Sequence, residues 1–445
     1  MAPTTTFKDY LWCLFLASPW IGIQCLWATE FGVLNTTMEV LGLPKNWAKL
    51  SWIWGPVTGF FTAPVVGAFS DVCTSKYGRR RPYMIGGLVS FAIASFLFAF
   101  CQHFGSLALP VGFISYIALD ITINVIQTPI RSFTSDMVPE HLQNTAQLMA
   151  VACQGTGGII GTQLQANLYK NNLETLPYLI ITALALNVFF ISLVSYFGTE
   201  QVYVPKDDKK LSITEPFTIV FKNVSNIDRK LASIFATQFF SWAALFAFWP
   251  HATSWVIENV YKGCVGDISD KCPADLHQIG LDGNKAAADA SSFQNIVQIV
   301  FGILFGYLLL NGILKSVKYI YAAGLFLGCA ILVGTNIFFD KTYATIFITL
   351  MGVQMSVMNA FPFAIVGRYN SSDGGLSTGV QFGMMNMFIC SAQFIVQFIV
   401  FAIPEYNTSL LVAGCFAGTA GVCALTIVEF PDEAIQSDAE KADKK

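Results

Sequence analysis

The chain has 445 residues, of which 54% are hydrophobic and only 12% charged, against about 25% charged in soluble domains, and its mean hydropathy is +0.56. That balance excludes a soluble globular protein and leaves an all-α polytopic membrane protein. A net charge of −3, with basic residues only in short clusters, gives no nucleic-acid footprint; four histidines at no ligand spacing and eleven cysteines without a CxxC pair leave neither a metal site nor a cofactor to predict.

Apolar runs of about 20 residues, the length that crosses a bilayer, occur twelve times along the chain. The first, 10–34, places Gln24, Trp27 and Glu30 on one helical face at i, i+3, i+6. A ring beside hydrogen-bonding groups suits a sugar, which has an apolar face and a hydroxyl edge; packing against lipid or core is the other reading of Trp27. With Gln24 and Glu30 inside it and no small-residue cleavage site, this span is read as an uncleaved anchor.

Span two, 47–70, and span three, 83–102, flank the loop Gly67-Ala-Phe-Ser-Asp71-Val-Cys-Thr-Ser-Lys-Tyr-Gly78-Arg79-Arg80-Arg81-Pro82. An acidic residue ends one helix, a glycine turns the chain, and arginines begin the next. Asp71 paired with an arginine or a helix end across the mouth would form a gating latch that breaks when that mouth opens. Arginines that merely anchor a cytoplasmic loop are the alternative.

Span four, 107–131, carries the strongest functional signal. Asp120, Asn124, Gln127 and Arg131 are spaced i, i+4, i+7, i+11. At about 100° per residue, eleven steps return to within about 20° of the start, so all four share a face. A charge at bilayer depth costs about 2.5–3.5 kcal/mol even on the lenient insertion scale. The stripe therefore faces a watery or protein-walled cavity, which marks a solute or proton pathway. A static Asp120–Arg131 pair is the competing reading, but eleven residues rise about 16 Å in a straight helix.

The remaining spans are 146–168, 177–199, 229–258, 288–311, 319–338, 342–366, 376–402 and 408–429. Amides recur in them: Gln147 and Gln154 in span five, Asn295 and Gln298 in span eight, Asn386 and Gln393 in span eleven. Each either lines the pathway or holds helices together. The run Gly155-Thr-Gly-Gly158-Ile-Ile-Gly161 permits close helix approach. Residues 200–228 form a polar linker, and 259–287 a second long loop in which Cys264 and Cys272 are candidates for a disulfide. The tail, 430–445, is acidic and then Lys-rich, and is expected to be disordered.

The organisation is thus a six-helix half, 1–199, a linker, and a second half, 229–429. A faint echo between Pro129…Asp136…Gln147 and Pro362…Asp373…Gln381 fits an internal duplication, and halves related by a parallel repeat are the plan of the major facilitator fold, with solute near mid-membrane. Seventeen Lys and Arg fall on one side of the membrane and seven on the other, leaving out Arg131; the positive-inside rule puts both termini in the cytoplasm. The sequons at Asn35 and Asn407 then face outward.

Asp71-Val-Cys-Thr-Ser-Lys-Tyr-Gly-Arg-Arg-Arg-Pro82 resembles the signature of the sucrose transporter family and its animal relatives. So do Gln24-Cys-Leu-Trp27-Ala-Thr-Glu30, Leu41-Gly-Leu-Pro44, Trp52-Ile-Trp-Gly-Pro56, the stretch from Leu119 to Arg131, and Gly374-Gly-Leu-Ser-Thr-Gly379. The resemblance implies a twelve-span facilitator carrying sucrose or a related glycoside with protons. It also implies that Asp120 is the titrating and sugar-binding acid and Arg131 its essential partner. Span seven departs from the family: Ala252-Thr253-Ser254-Trp255, after His251, stands where an acidic run is usual. The expected partners are a small sugar, protons and the bilayer, with the chain acting as a monomer in the plasma membrane or a vacuolar or lysosomal one. The alternatives are a carrier of another sugar or organic solute, or a sensor that binds sugar without moving it. No nucleophile–base pair points to an enzyme.

Overall fold

The computed structural model describes residues 6–44, 47, 51–139, 142–168, 173–200, 215, 218, 222, 227, 229–264, 273–310, 313, 316–373, 378–403 and 405–427. The linker and the acidic tail lie almost wholly outside these residues. Among the described residues every regular element is helical. In chain order they are α1 (Phe7–Ala17), α2 (Pro19–Val40), α3 (Trp54–Asp71), α4 (Arg81–Ala99), α5 (Ala108–Met137), α6 (Gln143–Leu168), α7 (Leu176–Phe197), α8 (Arg229–Trp255), α9 (Ala274–Leu310), α10 (Val317–Gly334), α11 (Lys341–Asp373), α12 (Thr378–Phe401) and α13 (Tyr406–Leu425).

The first predicted span is two helices in sequence. Pro19 has no N–H to give the preceding turn, and Ser18 closes α1 by donating its hydroxyl to Phe15 O at 2.7 Å. Counting α1 and α2 together, twelve spans result. Eleven meet the length and hydropathy needed to cross a membrane. The exception is α6, whose glutamines and threonines dilute it. It is polar because it is buried by protein on two sides. Cβ atoms added at Gly157 and Gly161 would strike the backbone of α2, while additions at Gly155 and Gly158 would strike Asn295 of α9. The small-residue run thus brings α6 against both neighbours.

Several predicted spans are longer than their apolar cores. α5 runs to Met137, α11 to Asp373, and α9 begins at Ala274 rather than 288. Much of the predicted loop 259–287 is therefore helix, and α8 continues through a π turn, Val256–Tyr261. Hydropathy marks where a helix meets lipid, whereas backbone hydrogen bonding carries the helix beyond it. Cys264 is disulfide-bonded; Cys272 lies outside the described residues.

Two buried apolar clusters divide the molecule. One is built from α1, α2 and α4–α7 with Trp52, the other mainly from α8–α13 with Leu148 and Val151 of α6 joining it. The two helix groups meet along α3–α12 and α6–α9. At the first seam Asn386 Nδ2 donates to Gly59 O at 3.2 Å, and a Cβ at Gly383 would lie 3.2 Å from Pro64 Cα. At the second, Thr162 Oγ1 lies 2.9 Å from Ser292 Oγ, and Gln163 Nε2 donates to the same hydroxyl at 2.7 Å. Short connections alternate the helix directions, so the ends bearing Asp71, Arg81, Met137 and Arg229 fall together, opposite the ends bearing Val40, Trp54, Ala108 and Tyr261.

Candidate functional site

A cavity of about 140 Å³ lies between the two helix groups. Its wall contains eight residues singled out from sequence: Gln24, Trp27, Asn124, Gln127, Arg131, Gln154, Asn386 and Gln393. Asn124 and Gln127 are linked, the Gln127 amide donating to Asn124 Oδ1 at 2.5 Å, while Asn124 Nδ2 donates to Asp120 O at 2.7 Å. A chain of amides therefore faces the cavity along α5.

Asp120 and Glu30 do not line this wall. Both are buried behind it, at 0% and 1% exposure, within electrostatic range of each other. None of their four carboxyl oxygens has a hydrogen-bond partner. Only a glycine separates Asp120 from the cavity: Gly55 is in the wall, and a Cβ there would sit 3.7 Å from Asp120 Oδ2. Tyr116, one turn before Asp120, also borders the cavity and donates its hydroxyl to Ser51 O at 3.2 Å. Gln147 and Gln298 are buried outside the wall, Gln298 donating to Val151 O at 3.4 Å across the α6–α9 seam. Asn295 borders a second, adjoining cavity.

Arg131 makes no ion pair with Asp120, as the rise along α5 requires, and among the described residues it meets no carboxylate. Its guanidinium instead lies between two rings. Its Cζ is 4.6 Å from the centroid of Trp20, in its own helix group, and 3.4 Å from that of Phe363 on α11. A desolvated guanidinium on aromatic faces is attracted by the ring quadrupoles. This contact bridges the groups at the end of the cavity nearer Asp71. At the other end, Phe31 stacks on Trp52 at 4.7 Å and approaches Trp249 at 5.0 Å and Phe246 at 6.1 Å. Aromatic contacts between groups thus bound the cavity at both ends.

Phe31, Trp242, Phe246, Trp249 and Phe363 were not singled out from sequence, and Trp52 only as part of a motif. The spacing Trp242, Phe246, Trp249 is i, i+4, i+7, the same face signal that marked α5. It is silent on its own because aromatic stripes in apolar spans usually meet lipid or core.

The arginines of the loop after α3 build a compact cluster. Arg80 is 1% exposed and pairs with Asp71 and, through Nε at 3.0 Å, with Asp136. It also donates to Ser70 Oγ at 2.6 Å. Arg79 reaches Asp136 at 2.8 Å. The Arg80 backbone N–H donates to Glu200 Oε1 at 2.9 Å. That carboxylate fills the space above Gly78, whose φ of +103° is glycine territory. Among the described residues, the partners of Arg79 and Arg80 all belong to the first helix group. These contacts hold α3, α4, α5 and the end of α7 together, a buried guanidinium taking the nearest carboxylates.

The family model described as Major Facilitator Superfamily matches residues 22–261. Among curated proteins, the chain is 24% identical to "Sucrose transport protein SUT5" of Oryza sativa subsp. indica, over 95% of this chain and 89% of that one. It is 27% identical to "General alpha-glucoside permease" of Schizosaccharomyces pombe, over 56% and 48% respectively. Among solved structures, the transporter FucP in its outward conformation is similar, with a TM-score of 0.63 at 14% identity, covering 95% of this chain and all of that one.

Proposed function

The chain belongs to the Major Facilitator Superfamily, and from that premise we propose that it is a proton-coupled symporter of sucrose or a related glycoside, working by alternating access. The observation that carries the reading is the pairing of an amide-and-aromatic cavity with two buried carboxyl groups that lack a hydrogen bond, Asp120, set just behind Gly55 in its wall, and Glu30, within electrostatic range of it. Rings receive the apolar faces of a sugar and amides its hydroxyls. A proton between the buried carboxyl groups supplies the hydrogen bond that neither has from protein. The relatives named as sucrose and α-glucoside carriers support the same solute class.

In this reading Asp120 is the coupling acid and Gln24, Trp27, Asn124, Gln127, Gln154 and Asn386 hold sugar. Arg131 between Trp20 and Phe363 closes the end nearer Asp71, and the Phe31 cluster closes the other. The halves 1–199 and 229–429 rock about the cavity. The Asp71–Arg81 end faces the cytoplasm, in keeping with the bias of Lys and Arg.

Uptake of labelled sucrose into vesicles holding the purified chain tests this directly. Accumulation above equilibrium with an inward proton gradient, and only equilibration without one, is the expected result. Equal uptake in both conditions overturns coupling, and no sucrose uptake in either overturns the solute.

A further inference from the structure

A second cavity, of about 100 Å³, adjoins the first. Gln24, Phe31 and Trp249 border both and form the waist between them. The second cavity reaches toward the end opposite Asp71, between α2 and α6 of one group and α8 and α9 of the other. Beside Gln24 at the waist, Thr162, Gln165, Thr253, Asn284, Ser291, Gln294 and Asn295 are its polar groups, and among the described residues no acid, lysine or arginine stands in its wall. Three of them, Asn284, Ser291 and Asn295, are spaced i, i+7, i+11 and share one face of α9. A carboxamide and hydroxyl lining without charge is made for a neutral polyol.

The sizes are informative. A cavity of about 150 Å³ takes one benzene-sized ring, so cavities of about 140 and about 100 Å³ are each on the scale of a single ring, and neither alone takes a disaccharide.

We propose that the second cavity is the subsite for the second ring of a disaccharide, with the glycosidic link passing the waist at Gln24, Phe31 and Trp249. This rests on the sugar-carrier reading above and names the substrate class: neutral disaccharides over hexoses. The selecting residues are Asn284 and Ser291 on α9. Ala288, between them in the same wall, is the position where added bulk fills the subsite.

The test is equilibrium binding of sucrose and of glucose to the full chain in nanodiscs, for wild type, Asn284→Ala, Ser291→Ala and Ala288→Leu. Wild type is expected to hold sucrose at least about tenfold more tightly than glucose, since one or two good hydrogen bonds carry that ratio. Each variant should lower sucrose affinity toward that of glucose and move glucose by less than about twofold. Ser291→Ala loses one hydroxyl and guards against a folding failure in the bulkier variant. Sucrose affinity unchanged in all three, or equal affinities for the two sugars in wild type, overturns the subsite while leaving the carrier reading intact. Equal losses for both sugars make the cavity an entry path and also overturn it. A wild-type protein that binds neither sugar overturns the carrier reading itself, and the subsite with it.

Discussion

Phe363→Leu isolates the contact that joins the helix groups at the end nearer Asp71. The guanidinium of Arg131 lies 3.4 Å from the Phe363 ring centroid, and Trp20 holds its other face from within the same group. Phe363 is 6% exposed, so the interaction is desolvated and worth about 2 kcal/mol. It is lost when the groups part at that end and kept when they are closed there. Removing the ring therefore shifts the equilibrium by about 2 kcal/mol, or about thirtyfold, toward forms open at that end. Leucine keeps much of the volume and the apolar contact with Phe382. The assay is the labelling rate of Ala63→Cys, which borders the cavity on α3, with Cys390 replaced by serine. Labelling in Phe363→Leu is expected to rise by an order of magnitude, and in Trp20→Leu, which keeps the bridge between groups, by much less. An unchanged rate in folded Phe363→Leu, or the same change in both, refutes the assignment of Arg131 and Phe363 as a closure.

Three further outcomes are expected. Asp120→Asn should abolish gradient-driven sucrose accumulation, because an amide cannot cycle a proton, with sucrose affinity within a few-fold of wild type; accumulation at the wild-type level removes Asp120 from coupling. Gly55→Val should screen Asp120 from the cavity and slow proton-driven uptake while exchange of sucrose without a gradient continues, and equal slowing of both would show that Gly55 serves sugar passage alone. Arg80→Met removes the buried cation that Asp71 and Asp136 share, leaving only Arg79 on Asp136, and should cost about 3–5 kcal/mol, as broken buried pairs do; a melting temperature within experimental error of wild type would show the cluster to be structurally idle.

The sequence by itself determined what repeats along one helix. The polar stripe Asp120–Arg131 is visible because a 3.6-residue period places those side chains on one face whatever lies opposite. The close approach of α6 is visible because four small residues in seven leave the helix without bulk on two faces. Twelve spans follow from hydropathy and length, although the polarity of α6 became intelligible only once α2 and α9 were seen to shield it.

Tertiary structure alone decided what each face meets. The rise along α5 already separates Arg131 from Asp120, but that it meets the rings of Trp20 and Phe363 has no signal in its own helix. Glu30 and Asp120, from different spans, come within electrostatic range of each other, Asp120 behind a glycine that no periodicity marks. Arg80 takes Asp136 and, through its backbone N–H, Glu200, the latter 120 residues away, and so ties distant parts of one helix group together. A helical period is a local property of the chain, fixed by backbone geometry. Which two faces touch is set by how twelve helices pack at once, and that sum over distant contacts has no signature in any single stretch of sequence.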